Sequence, residues 1–576
     1  MPLHPGISQA FRSAGYRPDR VAPLFQPAFS RDIPVTGDTV TVRFVITDPS
    51  LCNLPTAYVV GLPNRLKSRQ LPHLNADRSI CYLDQEVSTI FPLPPSDVIT
   101  DCIDLVERVV HGWDTGDNDD EVQAEFSAYW SGEALLFRLT EDSVSDVWKI
   151  DRTDTRGNKK TEFVIANNKS IVETWLARRG GESSCLLDSS VILIDASTPF
   201  SVPHHTIWPP SSFKEVIDWL DETNLEAAKS LTDHLVKHIK EDHNGFLVEL
   251  RHDSESIVFK VATTPGLRNA FQRARSFNRR KTSSAKKKAK YPSSLKICMR
   301  NNLMTRSFHR YWLEDVRESF IYTRNEPEQQ TLGGLRIALI GCGTLGGYTA
   351  QTLAHCGAGT QNGALHLFDN DFLSSGNLGR HLLGINYLHD NKAAATTQFL
   401  VEQHLYLNLY AHETKFTELD FGKKFDLIID ATGNEPFSVL LAKWFRDRYG
   451  QITTNRPTLI HGWIDAQGKA ARAFRDDATA ACYACLCDFK AEGNGALRLP
   501  LYRGNPPTDT PYRRSCGSTY LPYPSQASLT GAGLIQRMAL TRGTGINFRQ
   551  LTLDPSIQDH REKRIEPTQG CPACSP

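Results

Sequence analysis

Residues 336–392 carry the side chains of this chain best suited to chemistry. An apolar run at 337–340 leads into Gly341-x-Gly343-x-x-Gly346, and a helix-forming stretch follows. A second apolar run at 365–368 ends in Asp369, with Asp371 two residues later. Glycines at that spacing let the backbone turn sharply and come close to a phosphate. The helix behind them offers unpaired N–H groups and the positive end of its dipole. Asp369, at the end of the second strand, is placed to bind a ribose hydroxyl. Asn377-Leu378-x-Arg380 and then Lys392 add an amide and two cations just beyond it. Hydride transfer gives such cations no task. Attack on the α-phosphate of ATP does, because negative charge builds there in the transition state. A bare GxGxxG is weak evidence; joined to DxD, NLxR and the lysine it points to nucleotide adenylation.

Cysteines supply the second set of candidates. Cys482-Tyr-Ala-Cys485 and Cys571-Pro-Ala-Cys574 are two C-x-x-C pairs far apart in sequence. Each can give two thiolates to one tetrahedral zinc ion, and four thiolates would leave no open position, making the ion structural. A redox pair is the other reading. Cys516 lies in a turn-rich segment directly after Arg513, Arg514 and Ser515. Neighbouring cations favour the thiolate, so Cys516 is a candidate nucleophile; an incidental loop cysteine is the alternative. Cys342 and Cys356 read as packed within the βα unit, and Cys487 is given no role.

These groups need elements to hold them. A third strand at 425–429 precedes Asp430-Ala-Thr-Gly433-Asn434. Near the other end, residues 38–61 alternate or run apolar as strands do. A loop rich in Pro, Asn and Asp then surrounds Cys81, which is either an acceptor thiol or a buried structural cysteine. Prolines and Ser96/Asp97 as N-cap open an amphipathic helix with Val98, Ile99, Cys102, Ile103, Val106, Val109 and Val110 on its apolar face. The middle carries no motif, only strand-like VILIDAS and FLVELRH and a helical stretch at 212–242. The basic run at 279–292 lacks interleaved aromatics and promises only non-specific attraction to nucleic acid. Residues 308–330 read as helical.

With 576 residues the chain should hold two to four domains. Its formal net charge of zero gives no global field toward nucleic acid or membrane. No apolar stretch is long enough to span a bilayer, and the first residues lack a signal core, so a cytoplasmic protein is expected. Thirteen cysteines there suggest metal, catalysis or buried thiols rather than disulfides.

On its glycine loop, DxD, NLxR, Lys392 and split C-x-x-C pairs, the chain from 311 to 576 resembles the Rossmann-like adenylation domain of ubiquitin-activating enzymes and ThiF/MoeB sulfur-carrier adenylyltransferases. The resemblance implies that Gly341, Gly343 and Gly346 hold the ATP phosphates and that Asp369, with Asp371, binds ribose. It further implies that Asn377, Arg380 and Lys392 contact phosphates and that Asp430 helps hold Mg2+. It also implies structural Zn2+ on Cys482, Cys485, Cys571 and Cys574, and a thioester on Cys516. Gly433 stands where the family usually has a second aspartate, and His381 where it has glutamine. An arginine of the family reaches the γ-phosphate, often across a homodimer; Arg317 and Arg324 are the candidates for it, and a surface arginine is the alternative reading of each.

Around Cys81, Ala76-Asp77-x-Ser79-Ile80-Cys81-x-Leu83-Asp84 resembles the acceptor-cysteine motif of ubiquitin-conjugating enzymes. His73 and Asn75 lie closer to the cysteine than that family's His-Pro-Asn does. Three domains are therefore expected: an α+β conjugating-like domain at 1–134, an α+β linker domain at 135–310, and the α/β adenylation domain at 311–576. That order is similar to fusion proteins of bacterial CBASS anti-phage operons. Their likeness implies a cGAS/DncV-like nucleotidyltransferase, or another protein with a C-terminal Gly-type tail, as acyl donor. It implies a lysine-bearing acceptor, and neither a membrane nor a specific nucleic acid as partner. A sulfur-carrier adenylyltransferase with an unrelated extension and a non-catalytic nucleotide-binding scaffold are the competing readings.

Overall fold

The computed structural model describes residues 3–574 except 20–25, 68–69, 76, 84–93, 118–127, 131, 133, 142–144, 155, 181, 204–207, 239–244, 253–254, 263–264, 267–268, 274–307, 325–329, 453, 489–495, 503–511, 516–517, 521 and 542–544. For residues 128, 182–183, 238, 466, 488, 496–497, 512–515 and 518–520 it describes the backbone alone. Contacts divide the chain into two units, Met1–Val172 with Gly181–Asp315, and Glu173–Gly180 with Val316–Pro576.

The first unit begins with an antiparallel sheet of β1 (Arg17–Pro18), β2 (Ala28–Val35), β3 (Asp38–Val45), β4 (Thr56–Gly61) and β5 (Ser79–Ile80), paired in sequence order. The period of two puts Val40, Val42 and Phe44 of β3 inside, while Thr39 stays exposed and Thr41 and Arg43 half-buried. Helices Pro5–Ser13 and Pro95–Thr115 share that core through Ile7, Phe11, Val98, Cys102, Val106 and Trp113. The apolar face of the longer helix is the expected one, but its N-cap is Pro94 and not Ser96 or Asp97. Proline at the first helical position fixes φ and forfeits only an N–H that would have had no helical partner, so the turn starts earlier than side-chain capping suggests.

The same unit continues with β6 (Ala134–Arg138), β7 (Asp146–Thr153), β8 (Lys159–Ala166), β9 (Glu182–Asp195), β10 (Gly245–His252), β11 (Glu255–Ala262) and β12 (Phe308–Asp315). They close a barrel in the order β10-β11-β12-β6-β8-β7-β9. Leu136, Val147, Ile165, Leu247, Val258 and Tyr311, with partly buried Val191, give one apolar side chain from each strand to a common cluster that fills it. Helices Phe213–Thr223 and Leu225–His238 pack outside. The segment expected to be helical from 308 is strand to Asp315, and only Glu318–Thr323 is helix. Pairing with both β11 and β6 overrides the local preference there.

The second unit is built on β13 (Arg336–Ile340), β14 (Ala364–Phe368), β15 (Leu409–His412), β16 (Leu427–Asp430), β17 (Thr458–Asp465), β18 (Ala470–Asp476), β23 (Phe548–Thr552) and β24 (Glu562–Lys563). Two short hairpins, β19 (Cys487–Asp488) with β20 (Ala496–Leu497) and β21 (Tyr512–Ser515) with β22 (Ser518–Tyr520), lie outside this sheet. The strand order is β15-β14-β13-β16-β17-β18-β23-β24, parallel up to β17 and antiparallel beyond it. The chain leaves β13 to one side for β14 and β15, then to the other for β16. That reversal opens a crevice at the carboxyl ends of β13, β14 and β16. Register aligns those ends, since Ile340 pairs with both Phe368 and Asp430. Among the described residues no helix is long and apolar enough to cross a membrane.

Candidate active site

The crevice holds a cavity of about 670 Å³, within the range of small-molecule sites. Gly341, Gly343, Asp369, Asp371, Asn377, Arg380 and Lys392 line it. Seven sequence candidates from separate elements thus share one wall. Gly341 has φ +87°, a left-handed turn that L side chains rarely adopt. Gly346 is not on the wall; it lies behind the loop, where a Cβ would fall 1.8 Å from the Gly341 carbonyl oxygen. Gly343 caps helix Thr344–His355 without a side-chain hydrogen bond, leaving the first helical N–H groups to face a ligand.

The acidic loop is tied to the glycine loop. Asp369 accepts the Cys342 N–H at 2.7 Å and the Asp371 N–H at 2.8 Å. Asn391 donates to the Asp369 and Asp371 carbonyls and caps helix Lys392–Gln403, which starts with Lys392. The Lys392 ammonium lies 3.2 Å from the Asp371 carboxylate. Asn377 accepts the Ser374 N–H and hydroxyl, fixing the turn that carries Arg380. The Arg380 guanidinium stands over the Tyr523 ring at 4.8 Å, a cation–π distance. His381, the departure noted in the sequence, is a latch. Leu383 N–H donates to its Nδ1, so Nε2 carries the proton and donates to the Cys342 carbonyl at 2.9 Å. Burial first, with Lys392 and Arg380 nearby, pushes His381 below its ordinary value and keeps the ring neutral.

Asp430 needs correction. It is 1 % exposed and lies outside the cavity wall. Its Oδ1 accepts the Thr432 N–H and hydroxyl, and its Oδ2 accepts Ser438 Oγ–H and His461 Nδ1–H. With both oxygens taken, the carboxylate has no direction left for a metal. Gly433, at φ +61°, bears no carboxylate either. The group that reaches the wall from β16 is the turn at Thr432 and Asn434.

Sequence reasoning missed Lys415, Phe416, Thr417, Phe437, Leu440, Trp444 and Tyr523, which complete the wall. They come from a loop, a helix and the approach to a later helix, and no local pattern joins them. Lys415 adds a third cation, and the aromatic residues give the cavity an apolar end suited to a planar base.

Cys482, Cys485, Cys571 and Cys574 converge as expected, with sulfurs all within 4.8 Å of one another. Separations of 3.8, 3.5 and 3.3 Å approach the roughly 3.8 Å edge of a tetrahedral zinc–thiolate site. Three of the four are buried, and the donor set fits a zinc ion holding the C-terminal segment to the sheet. Cys342, Cys356 and Cys487 are buried.

Cys81 is exposed. Its N–H donates to the His73 carbonyl at 2.8 Å, and Asn75 N–H to the Ser79 carbonyl at 2.9 Å, so the backbone at 73–75 turns back beside that at 79–81. The Asn75 amide donates to Ser79 Oγ and belongs to that turn. Cys516 lies outside the described residues; strands β21 and β22 on either side of it pair antiparallel. Arg317 caps helix Glu318–Thr323, and Arg324 lies over Phe320.

Residues 317–535 match the ThiF family and residues 25–139 match prokaryotic E2 family B. The chain is an enzyme that carries a ThiF domain after a prokaryotic E2-like domain. It is homologous over most of its length to proteins named Cap2, described as ATP-dependent ubiquitin transferase-like. Identity is 26 % to that of Escherichia coli, covering 94 % of this chain and 92 % of the relative. It is 28 % to that of Vibrio cholerae, covering 95 % and 93 %. Among solved structures, Escherichia coli MccB with ATP aligns at 15 % identity and TM-score 0.31, over 42 % of this chain and 68 % of that one.

Proposed function

We propose that this enzyme ligates the C-terminal carboxylate of a partner protein to an amine by a two-cysteine relay. ATP, with the magnesium it brings, occupies the 670 Å³ cavity with its phosphates over Gly341 and Gly343. The partner's carboxylate oxygen attacks the α-phosphorus. The bond to the bridging oxygen breaks, and pyrophosphate leaves. Arg380, Lys392 and the helix N-terminus oppose the charge that grows at that phosphorus. Asp369 holds the loop and ribose, with Asp371 and Asn377 beside it. The Cys516 thiolate then attacks the acyl carbon and AMP departs. The Cys81 thiolate takes the acyl group by thioester exchange, releasing Cys516. A lysine amine finally attacks, an amide forms, and Cys81 leaves as thiolate. Exchange between thioesters needs position more than a depressed thiol pKa.

The observation that carries this reading is the shared wall of glycine loop, Arg380 and Lys392 on a chain that also exposes Cys81. Similarity to Cap2 proteins supports a cGAS/DncV-like nucleotidyltransferase of an anti-phage operon as the acyl donor. The zinc ion, once bound, supplies structure and no step.

A non-reducing gel with ATP, magnesium and the candidate donor tests it. Wild type should give a dithiothreitol-sensitive adduct, Cys516→Ala none, and Cys81→Ala an adduct stalled on Cys516. With pyrophosphate exchange intact, no adduct in any sample would reduce the protein to an adenylyltransferase.

A further inference from the structure

His461, on β17, is absent from the cavity wall, yet it is built into what shapes that wall. Asp430 and His461 are paired residues of adjacent parallel strands, both about 1 % exposed. His461 Nδ1–H donates to Asp430 Oδ2 at 2.9 Å. An ionised carboxylate only accepts, so the donor must be the imidazole. The other Asp430 oxygen holds the Thr432 N–H at 3.0 Å and its hydroxyl at 2.7 Å. Thr432 Oγ1 in turn accepts the Asn434 N–H at 3.2 Å, and both residues line the nucleotide cavity. The imidazole also packs against the Tyr483 ring, with centroids 4.6 Å apart and the planes tilted by 39°. Tyr483 sits between Cys482 and Cys485 of the cysteine cluster. His461 Nε2 is buried and has no hydrogen-bond partner among the described residues, so the ring is held by one polar contact and one face.

We propose that His461 is a positioning residue for the nucleotide site, fixing the Thr432–Asn434 turn through Asp430, and that Tyr483 makes the cysteine cluster its buttress. This rests on the reading of the cavity as an ATP site. A buried carboxylate is oriented by its donors. Without His461, Asp430 can rotate toward Ser438 or draw in water, and the turn it carries moves with it. Displacements of that size alter binding and turnover without any lost contact to the ligand.

The test is ATP binding by calorimetry on the full chain, with zinc content and thermal melting measured on the same samples. His461→Leu should weaken ATP binding by roughly tenfold. His461→Asn, whose amide can replace the Nδ1 donor, should stay within about threefold of wild type. Ser438→Ala removes the other donor to the same oxygen and should shift affinity in the same direction, which keeps the test open if the leucine variant does not fold. Tyr483→Leu should weaken ATP binding while zinc content stays near one per chain. Lowered melting temperatures with unchanged ATP affinity in all four variants would make His461 a core residue only. A wild type that binds no ATP would instead remove the nucleotide reading, and this inference with it.

Discussion

Lys392 is the residue on which the chemistry can be tested most directly. Its side chain is 10 % exposed, and its ammonium lies 3.2 Å from Asp371, whose side chain is 68 % exposed. The pair is therefore half in solvent and contributes little to stability. Its value lies in the positive charge it keeps at the wall. Lys392→Ala removes that charge and leaves Asp371 unopposed beside the phosphates. The adenylation rate, read as ATP–pyrophosphate exchange, should fall by about 10²–10³, with little change in melting temperature. A loss below about threefold would remove Lys392 from the mechanism. Residues of this kind were legible because glycines, acid, amide and cations follow one another within 57 positions of sequence. Lys415, Thr417, Trp444 and Tyr523 were not, because only the fold makes them neighbours. His461 was not legible either: its partner Asp430 lies 31 residues away, and a histidine in an apolar strand gives no sign of its bond.

Elements set two further expectations. The helix behind the glycine loop approaches so closely at Gly346 that any Cβ meets the Gly341 carbonyl at 1.8 Å. Gly346→Ala must push the helix off the loop, at a cost of about 1–3 kcal/mol. Melting temperature and ATP affinity should fall together, whereas Gly343→Ala, where a Cβ meets nothing within 4 Å, should melt like wild type. Within the same sheet, His366 of β14 and His412 of β15 share a hydrogen bond at 3.0 Å. Burial first, then His412 and nearby cations, push His366 down to about 4 from its ordinary value. The unfolded chain thus binds a proton below about pH 6.5 that the folded chain refuses until about pH 4. Stability should be level above that window and decline as pH falls through it, and His366→Gln should flatten the slope of urea midpoints against pH. The strand that carries His366 was readable from its apolar run at 365–368; the one that carries His412 was not, because β15 is short and only half-buried. The strand at Phe308–Asp315 was not either, because its pairing is supplied by two barrel neighbours distant in sequence.

At the scale of the molecule, each unit has its own apolar cores: the sheet-and-helix and barrel clusters in the first, the clusters around β13 to β18 in the second. The cysteine cluster belongs wholly to the second, joining residues separated by 89 positions. A metal there closes a long loop, and its binding energy adds to the folding energy of that unit alone. ATP, in the proposed cavity, also binds that unit alone. The two ligands should therefore act on the same step of unfolding. Scanning calorimetry should resolve a transition that ATP raises, and a zinc chelator should lower that same transition while leaving the other in place. The C-terminal pair is decisive for this outcome, because Cys571→Ser with Cys574→Ser should reproduce the chelator's effect and make the protein insensitive to it. If the chelator instead lowered both transitions equally, the two units would not unfold independently, and the relay between Cys516 and Cys81 would have to be treated as the work of a single cooperative body.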